Sequence, residues 1–316
     1  MALETSDTTA GSPGMGGVGR RHGRGHRFMR RIGFPYLFLS PYLILFAVFF
    51  VVPLLYALRL SLYVDRLVGG TVFVGSDNYK QVFQDSNFLE GLKRMFIFGL
   101  FQVPIMLGLA LTFGLLLDGG AARFKTLFRL GFFLPYAIPS VVAALLWGYL
   151  YGGGFGLFDQ IAAKLNLPGP DFLGSSDMLA SLANIVTWQW TGYNMIIIYA
   201  ALQAIPVDIY DAATMDGAGG WQIARYIKIP LVLPAIMLTA IFSIIGTLQL
   251  FNEPKIMYSL APSVIGDHYT PNLYAYNVAF TNQEYNYSAA ISFVLGSVAF
   301  LASYVFMLVI NRRSAD

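Results

Sequence analysis

The chain has 316 residues, of which 56% are hydrophobic and only 12% charged, with a formal net charge of +3 and a mean hydropathy of +0.60. A water-soluble domain carries about 25% charged residues, so the composition excludes a soluble globule and makes the bilayer the solvent to reason with. Cysteine is absent, and the three histidines (His22, His26 and His268) are scattered, which excludes disulfides, a thiolate metal site and a histidine metal cluster.

Residues 1–33 are rich in Gly and Arg and have no apolar periodicity, so they read as a disordered basic cytoplasmic tail. "GMGGVG" at 14–19 matches G-x-G-x-x-G, but no strand precedes it and no apolar helix follows directly, which argues against a nucleotide site. The apolar run that comes next is too long for a secretory h-region and lacks a small-residue cleavage site, so it is expected to stay as the first span.

A helix needs roughly 20 apolar residues to cross a hydrocarbon core. Six runs qualify: Phe34–Leu58, Met95–Leu117, Leu127–Leu150, Leu179–Ala201, Leu231–Phe251 and Ala289–Ile310. They do not alternate as barrel strands would, so an all-α membrane protein with six transmembrane helices is expected. With the N-terminus inside, the inner segments hold six arginines between Arg20 and Arg31, together with Arg123, Lys125, Arg129, Arg225, Lys228, Arg312 and Arg313. That is 13 of the 20 basic residues. The Lys/Arg bias therefore predicts both termini in the cytoplasm.

Polar groups in mid-span are costly unless they face a cavity or a partner helix. Span three carries Tyr136, Pro139 and Ser140. Span four carries Thr187, Trp188, Gln189, Trp190, Tyr193 and Asn194, and span five carries Ser243, Thr247 and Gln249. None is charged. Hydroxyls, amides and aromatic faces suit a neutral polyol, whereas a phosphate or carboxylate calls more naturally for Arg or a helix N-terminus. The same groups also serve as glue between packed helices, and the residues alone leave both readings open.

Between spans four and five lies "DAATMDGAGGWQIARYIKIPLVLP", residues 211–234. A short helix is expected to open at Pro206, with Asp208 and Asp211 early in it, where the helix dipole favours acids. Gly217, Gly219 and Gly220 allow a sharp turn, and "WQIARYIKI" reads as a second, amphipathic helix that returns to the membrane at Pro230 and Pro234. The residues permit a plain connector with Trp221 and Tyr226 at the headgroups, or a rigid helix–turn–helix knob.

This stretch resembles the "EAA" cytoplasmic loop of binding-protein-dependent ABC importer permeases of the maltose type. The family pattern is E-A-A-x-x-D-G-A, an aromatic-basic segment, then I-x-x-P-x-x-x-P. It stands here as Asp211-Ala212-Ala213, Asp216-Gly217-Ala218, Ile227, Pro230 and Pro234, with Asp211 where Glu is usual. "FVGSDNYKQVFQDSNF" at 73–88 is similar to the outer F-x-G-x-x-N-Y segment of the first of the two paired permease types, and "LPYAIPS" at 134–140 and "TWQWTGYNM" at 187–195 also resemble family stretches. The resemblance covers most of residues 34–312.

It implies a type I ABC importer permease fold over 34–311, with a coupling loop at 203–230 that docks on a separate ATPase through Asp211, Ala212, Ala213, Asp216, Gly217 and Ala218. It further implies that Tyr136, Ser140, Gln189, Trp190, Tyr193, Ser243 and Thr247 line a solute pocket, with Gly246 and Leu250 at family positions. Only Tyr136, Ser140, Tyr193 and Ser243 match the family's chemical types there. The implied partners are a second homologous permease, two ABC ATPase subunits that hold ATP and Mg, an extracytoplasmic solute-binding protein and a carbohydrate. No cofactor in this chain and no nucleic-acid partner is expected.

The sequence holds no nucleophile–His–acid set and no Walker loop, which disfavours an intramembrane enzyme. The predicted spans hold no Asp or Glu at mid-depth, which counts against an ion-coupled secondary transporter. Among ABC permeases, a carrier of glycerol-phosphate diesters is the alternative to a carrier of sugars.

Overall fold

The computed structural model describes residues 36–66, 68–119 and 124–313. The predicted tail over 1–33, with its glycine motif, His22 and His26, lies outside them, as does Arg123. One compact unit ends at Leu55 and a second begins at Tyr56. Helix α1 (Tyr36–Ser61) runs through that boundary. In the first unit Tyr42, Phe46 and Phe50 stack at successive turns, with centroids 6.2 and 5.0 Å apart. Residues 47–51 widen into a π turn, closed by the Val52 N–H on the Ala47 carbonyl. Pro53 follows at once. Its ring would strike the carbonyl four residues back in a regular helix, and the wider turn removes that clash.

The second unit begins with a departure from the all-helical expectation, a two-stranded antiparallel hairpin. β1 (Tyr63–Arg66) pairs with β2 (Gly70–Phe73) in the register Tyr63↔Phe73 to Arg66↔Gly70. The β-branched and aromatic residues of the two strands pair across it, and Gly69 and Gly70 supply the positive φ of its turn. Helix α2 (Asp77–Gln84) follows. The F-x-G-x-x-N-Y segment acquires a physical meaning here. Gly75 turns the chain at φ 59°. Buried Asn78 donates from its amide to the Ser61 and Tyr63 carbonyls at 2.8 Å each, and the Tyr79 hydroxyl meets the Ser61 hydroxyl at 2.6 Å. The motif staples the end of α1 to the hairpin.

The remaining helices are α3 (Ser86–Asp118), α4 (Lys125–Ala137), α5 (Ser140–Tyr151), α6 (Leu157–Lys164), α7 (Met178–Gln203), α8 (Val207–Met215), α9 (Gly220–Ile223), α10 (Ile229–Leu248), α11 (Asn252–Leu260), α12 (Pro271–Phe280) and α13 (Tyr285–Arg313). Among the described residues, four stretches are long and apolar enough to cross a bilayer: Tyr36–Ser61, Ser86–Asp118, Gly220–Leu260 and Tyr285–Ile310. The total is six when each of two bent pairs counts as one span: α4 with α5, bent by 96°, and α7 with α8, bent by 71°.

The third predicted span, Leu127–Leu150, is therefore two helices rather than one. Pro139 forces the residue before it out of the helical region, and Ile138 is extended at φ −80°, ψ 128°. Span five differs in a milder way. The chain enters it without a break, because α9 passes through a second π turn (Ala224–Lys228) directly into α10. That turn again comes just before a proline, Pro230, which sits in the first turn of α10 instead of interrupting the helix.

α3 and α7 pack against each other along most of their length and organise the core. One apolar cluster gathers Phe88, Met95 and Phe98 of α3 around Met178, Leu182 and Ile185 of α7, with Leu273 and Ile291. A second joins Ala110 and Leu117 to Met195, Ile198, Leu202 and Val232 nearer the connector. Gly192 fixes where α4 crosses α7. A Cβ there would overlap the Phe132 carbonyl more closely than any real Cβ approaches, so only glycine admits the backbone of α4.

Candidate functional site

The connector from α7 to α10 is built as its sequence implies. Pro206 precedes the first residue of α8, where a missing N–H costs nothing. The helix ends in a Schellman turn: Gly217 N–H bonds Thr214 O at 3.0 Å, Ala218 N–H bonds Ala213 O at 2.9 Å, and Gly217 takes φ +82°. Gly219 then caps α9, its N–H held by the Gln222 side-chain oxygen at 2.7 Å. Asp211, Ala212, Ala213, Asp216, Gly217 and Ala218 thus lie on one helix end and its turn, with no residue of α8 buried. Met215 is 87% exposed beside them, and Trp221 and Tyr226 are also exposed. The six predicted contact positions form one small-residue, acid-flanked knob.

Behind the knob, Asp118 ends α3. It pairs with Lys228 and accepts a hydrogen bond from Gln203 Nε2 at 2.6 Å. Sequence reasoning missed this cluster, since its members lie 85 and 110 residues apart.

Three of the predicted solute-lining residues come together where α4 meets α7. Tyr136 stacks on Tyr193 at 4.6 Å, and Trp190 stands edge-on to both, 5.2 Å from Tyr136 and 5.7 Å from Tyr193. Ser140 lies two residues beyond the break in the bent span, and its hydroxyl accepts from Asn252 Nδ2 at 2.7 Å. Asn252 opens α11 just past the fifth predicted span, outside the mid-span positions where polar groups signal a lining. Gln189 is 4% exposed and donates from Nε2 to the Ile138 carbonyl at 2.9 Å, which satisfies backbone freed by the Pro139 break; its Oε1 has no partner among the described residues.

The other two lie apart from the trio's ring contacts. Ser243 bonds the Thr239 carbonyl one turn back at 2.7 Å, and buried Thr247 packs on Gly99 of α3. The polar groups of α7 sort in the same way. Thr187 accepts from Gln102 Nε2 of α3 at 3.3 Å, and Asn194 Nδ2, which bonds the Trp190 carbonyl one turn back, also donates to Met106 Sδ of α3 at 3.6 Å, so that face acts as interhelical glue.

A third polar centre caps the opposite end of α3. Asp85 accepts from the Asn87 and Phe88 N–H groups and from the hydroxyls of Tyr274 and Tyr287 at 2.6 and 2.7 Å. Partial burial raises its pKa, but these four hydrogen bonds outweigh that and hold it below the ordinary carboxylate value. The Tyr274 phenol is pushed up by burial and by the Asp85 charge.

The profile of the family described as "Binding-protein-dependent transport system inner membrane component" matches residues 107–315. The chain is 33% identical over 279 residues to the lactose transport system permease protein LacF of Rhizobium radiobacter, covering 85% of this chain and 91% of that protein. It is 34% identical over 206 residues to the sn-glycerol-3-phosphate transport system permease protein UgpA of Escherichia coli, covering 63% of this chain and 68% of that protein. The fold matches a chain in the crystal structure of a bacterial alginate ABC transporter in complex with an alginate pentasaccharide-bound periplasmic protein. The TM-score is 0.81 at 18% identity, over 92% of this chain and 99% of that one.

Proposed function

From the premise that the chain belongs to the family of binding-protein-dependent transport system inner membrane components, we propose that it is the permease subunit through which an ABC importer moves a neutral oligosaccharide. As a member it is a multi-pass protein of the cytoplasmic membrane. On this reading the permease domain spans 34–311 with both termini in the cytoplasm, and residues 203–230 are the cytoplasmic coupling loop. A second, homologous permease completes the path. Two ATPase subunits bind ATP and Mg and carry out the hydrolysis, while this chain catalyses no reaction itself. A binding protein on the other face delivers the solute.

The observation that carries the substrate reading is the ring trio of Tyr136, Trp190 and Tyr193, beside the hydroxyl–amide pair of Ser140 and Asn252. Aromatic faces stack on the C–H faces of a pyranose, while hydroxyls and amides exchange hydrogen bonds with its OH groups. Every side chain in this set is uncharged, which suits an uncharged solute. The lactose permease relative supports a sugar cargo. A glycerol-phosphate diester is the second reading, supported by the identity to the sn-glycerol-3-phosphate permease. A phosphate would call for a cation that this set lacks.

Mechanically, ATP binding closes the ATPase pair and moves the knob at Asp211–Ala218. For that to switch the spans between two packings, ATP must favour one over the other by a few kcal/mol. The test is uptake in liposomes holding the assembled importer. Tyr136→Ala should cut sugar uptake by about ten-fold or more while the complex stays assembled and the binding protein still stimulates ATP hydrolysis. Transport by this chain alone, without ATPase subunits, would refute the reading. Loss of glycerophosphodiester uptake with sugar uptake unaffected would shift it to the second substrate class.

A further inference from the structure

The proposed coupling needs more than a docking knob. Whatever moves the knob must also move the spans, and the covalent chain links it only to α7 and α10. The structure adds a third attachment. Asp118 is the last residue of α3, where a helix dipole disfavours a carboxylate. Its side chain is nevertheless only 7% exposed, and that of its partner Lys228 only 13%. A charge so placed persists because its partners are specific.

Those partners are the two feet of the connector. Gln203, the last residue of α7, donates to one carboxylate oxygen at 2.6 Å. Lys228, the last residue of the π turn that leads into α10, donates to the other. The Lys228 ammonium also lies 4.8 Å from the ring centroid of Tyr210 on α8. One carboxylate therefore fixes the spacing of the two feet and, through Lys228, the lean of α8.

α3 carries this grip across the molecule. Its 33 residues span about 50 Å at 1.5 Å per residue. At its far end, Asp85 is held by Tyr274 and Tyr287. A helix held by an acid at each end is placed to move with the connector.

We infer that Asp118 is the positioning residue of the coupling loop, a latch that makes α3 follow the knob and so ties ATP hydrolysis to movement of the spans. This rests on the reading that the connector docks on the ATPase, and the experiment separates the two claims. The chain has no cysteine, so Met215→Cys supplies a single exposed reporter for cross-linking to the ATPase. In the assembled importer in liposomes, Asp118→Asn and Lys228→Met are compared for cross-linking, phosphate release and sugar taken up per ATP consumed.

The expected result is that cross-linking and phosphate release persist while uptake per ATP falls roughly ten-fold, within the range by which residues on a coupling route act. The exchanged pair, Asp118→Lys with Lys228→Asp, should recover part of it. An unchanged ratio in both single variants, with cross-linking intact, overturns the latch alone. Absence of cross-linking in the chain carrying only Met215→Cys overturns the docking reading and the latch with it. Should Asp118→Asn fail to assemble, Lys228→Met decides between these outcomes.

Discussion

Gln189 donates to the carbonyl of Ile138 at 2.9 Å, from the middle of one span to the break in another. In lipid the freed carbonyl has no water to turn to, so this side chain allows the span to bend where Pro139 bends it. Gln189→Met keeps the volume and removes the donor. The carbonyl is then left unpaired, at a cost of about 1–3 kcal/mol. A lower thermal unfolding midpoint of the purified protein is expected, with weaker sugar uptake. An unchanged midpoint in Gln189→Met would show that the bond does not support the bend.

Gly192 sets the other constraint on that bend. Its missing side chain is occupied by the backbone of α4 at Phe132, and a carbonyl cannot rotate away as a side-chain tip can. Gly192→Ala should therefore force the helices apart and destabilise the protein by about 1–3 kcal/mol or more. Gly296 of α13 has nothing within 4 Å of its would-be Cβ, and Gly296→Ala should be neutral or stabilising. The pair is read by unfolding midpoints in the same detergent. Equal midpoints would remove the close approach from the explanation of the fold.

At the far end of α3, the acid site has a pH signature. The hydrogen bonds to Asp85 hold its pKa below the ordinary 3.8, so the folded state prefers the carboxylate more than the unfolded state does. Its contribution is therefore present above that ordinary value and is lost as the pH falls through the lower, folded one. Tyr274 has the opposite sign. Its pKa is raised, so its contribution is present below the ordinary phenol value of 10.0 and is lost as the pH climbs above it. Hydrogen-exchange protection of the first turn of α3, measured against the intrinsic rate at each pH, should fall from roughly pH 4 downward in the native chain. Asp85→Asn should lack that acid component, and an identical acid profile in the variant would rule the site out as its source.

Much of this was legible in the sequence, and the gaps have physical causes. Apolar run lengths located the spans, because lipid requires a helix to satisfy its own backbone. The turn at Gly217 was legible because local chemistry dictates it. The break at Ile138 does not follow from Pro135 and Pro139, because in an apolar run a proline is compatible with either a continuous or a broken span. The side to which Thr247 points was also out of reach. α10 is apolar all round, so periodicity carries no signal for which polar residue faces α3 and which faces a cavity. The Asp118 cluster is not legible either, because nothing local announces partners 85 and 110 residues away.

Gly217 offers the sharpest test of the knob, because its role is conformational and local. A side chain at φ +82° costs roughly 1–2 kcal/mol, and a β-branched one more, whereas asparagine tolerates the region best. Gly217→Val should open the Schellman turn, break the Ala218-to-Ala213 bond and shift Asp216 and Ala218 away from α8. No residue of α8 is buried, so the variant should fold, insert and assemble. Binding-protein-stimulated ATP hydrolysis should fall with Gly217→Val, recover largely with Gly217→Asn, and be little changed by Gly219→Ala, whose backbone any residue adopts. The ordering of the three variants carries the argument. If valine and asparagine behaved alike at 217, the turn geometry would be irrelevant to coupling. A loss common to all three would point instead to simple bulk at the docking surface.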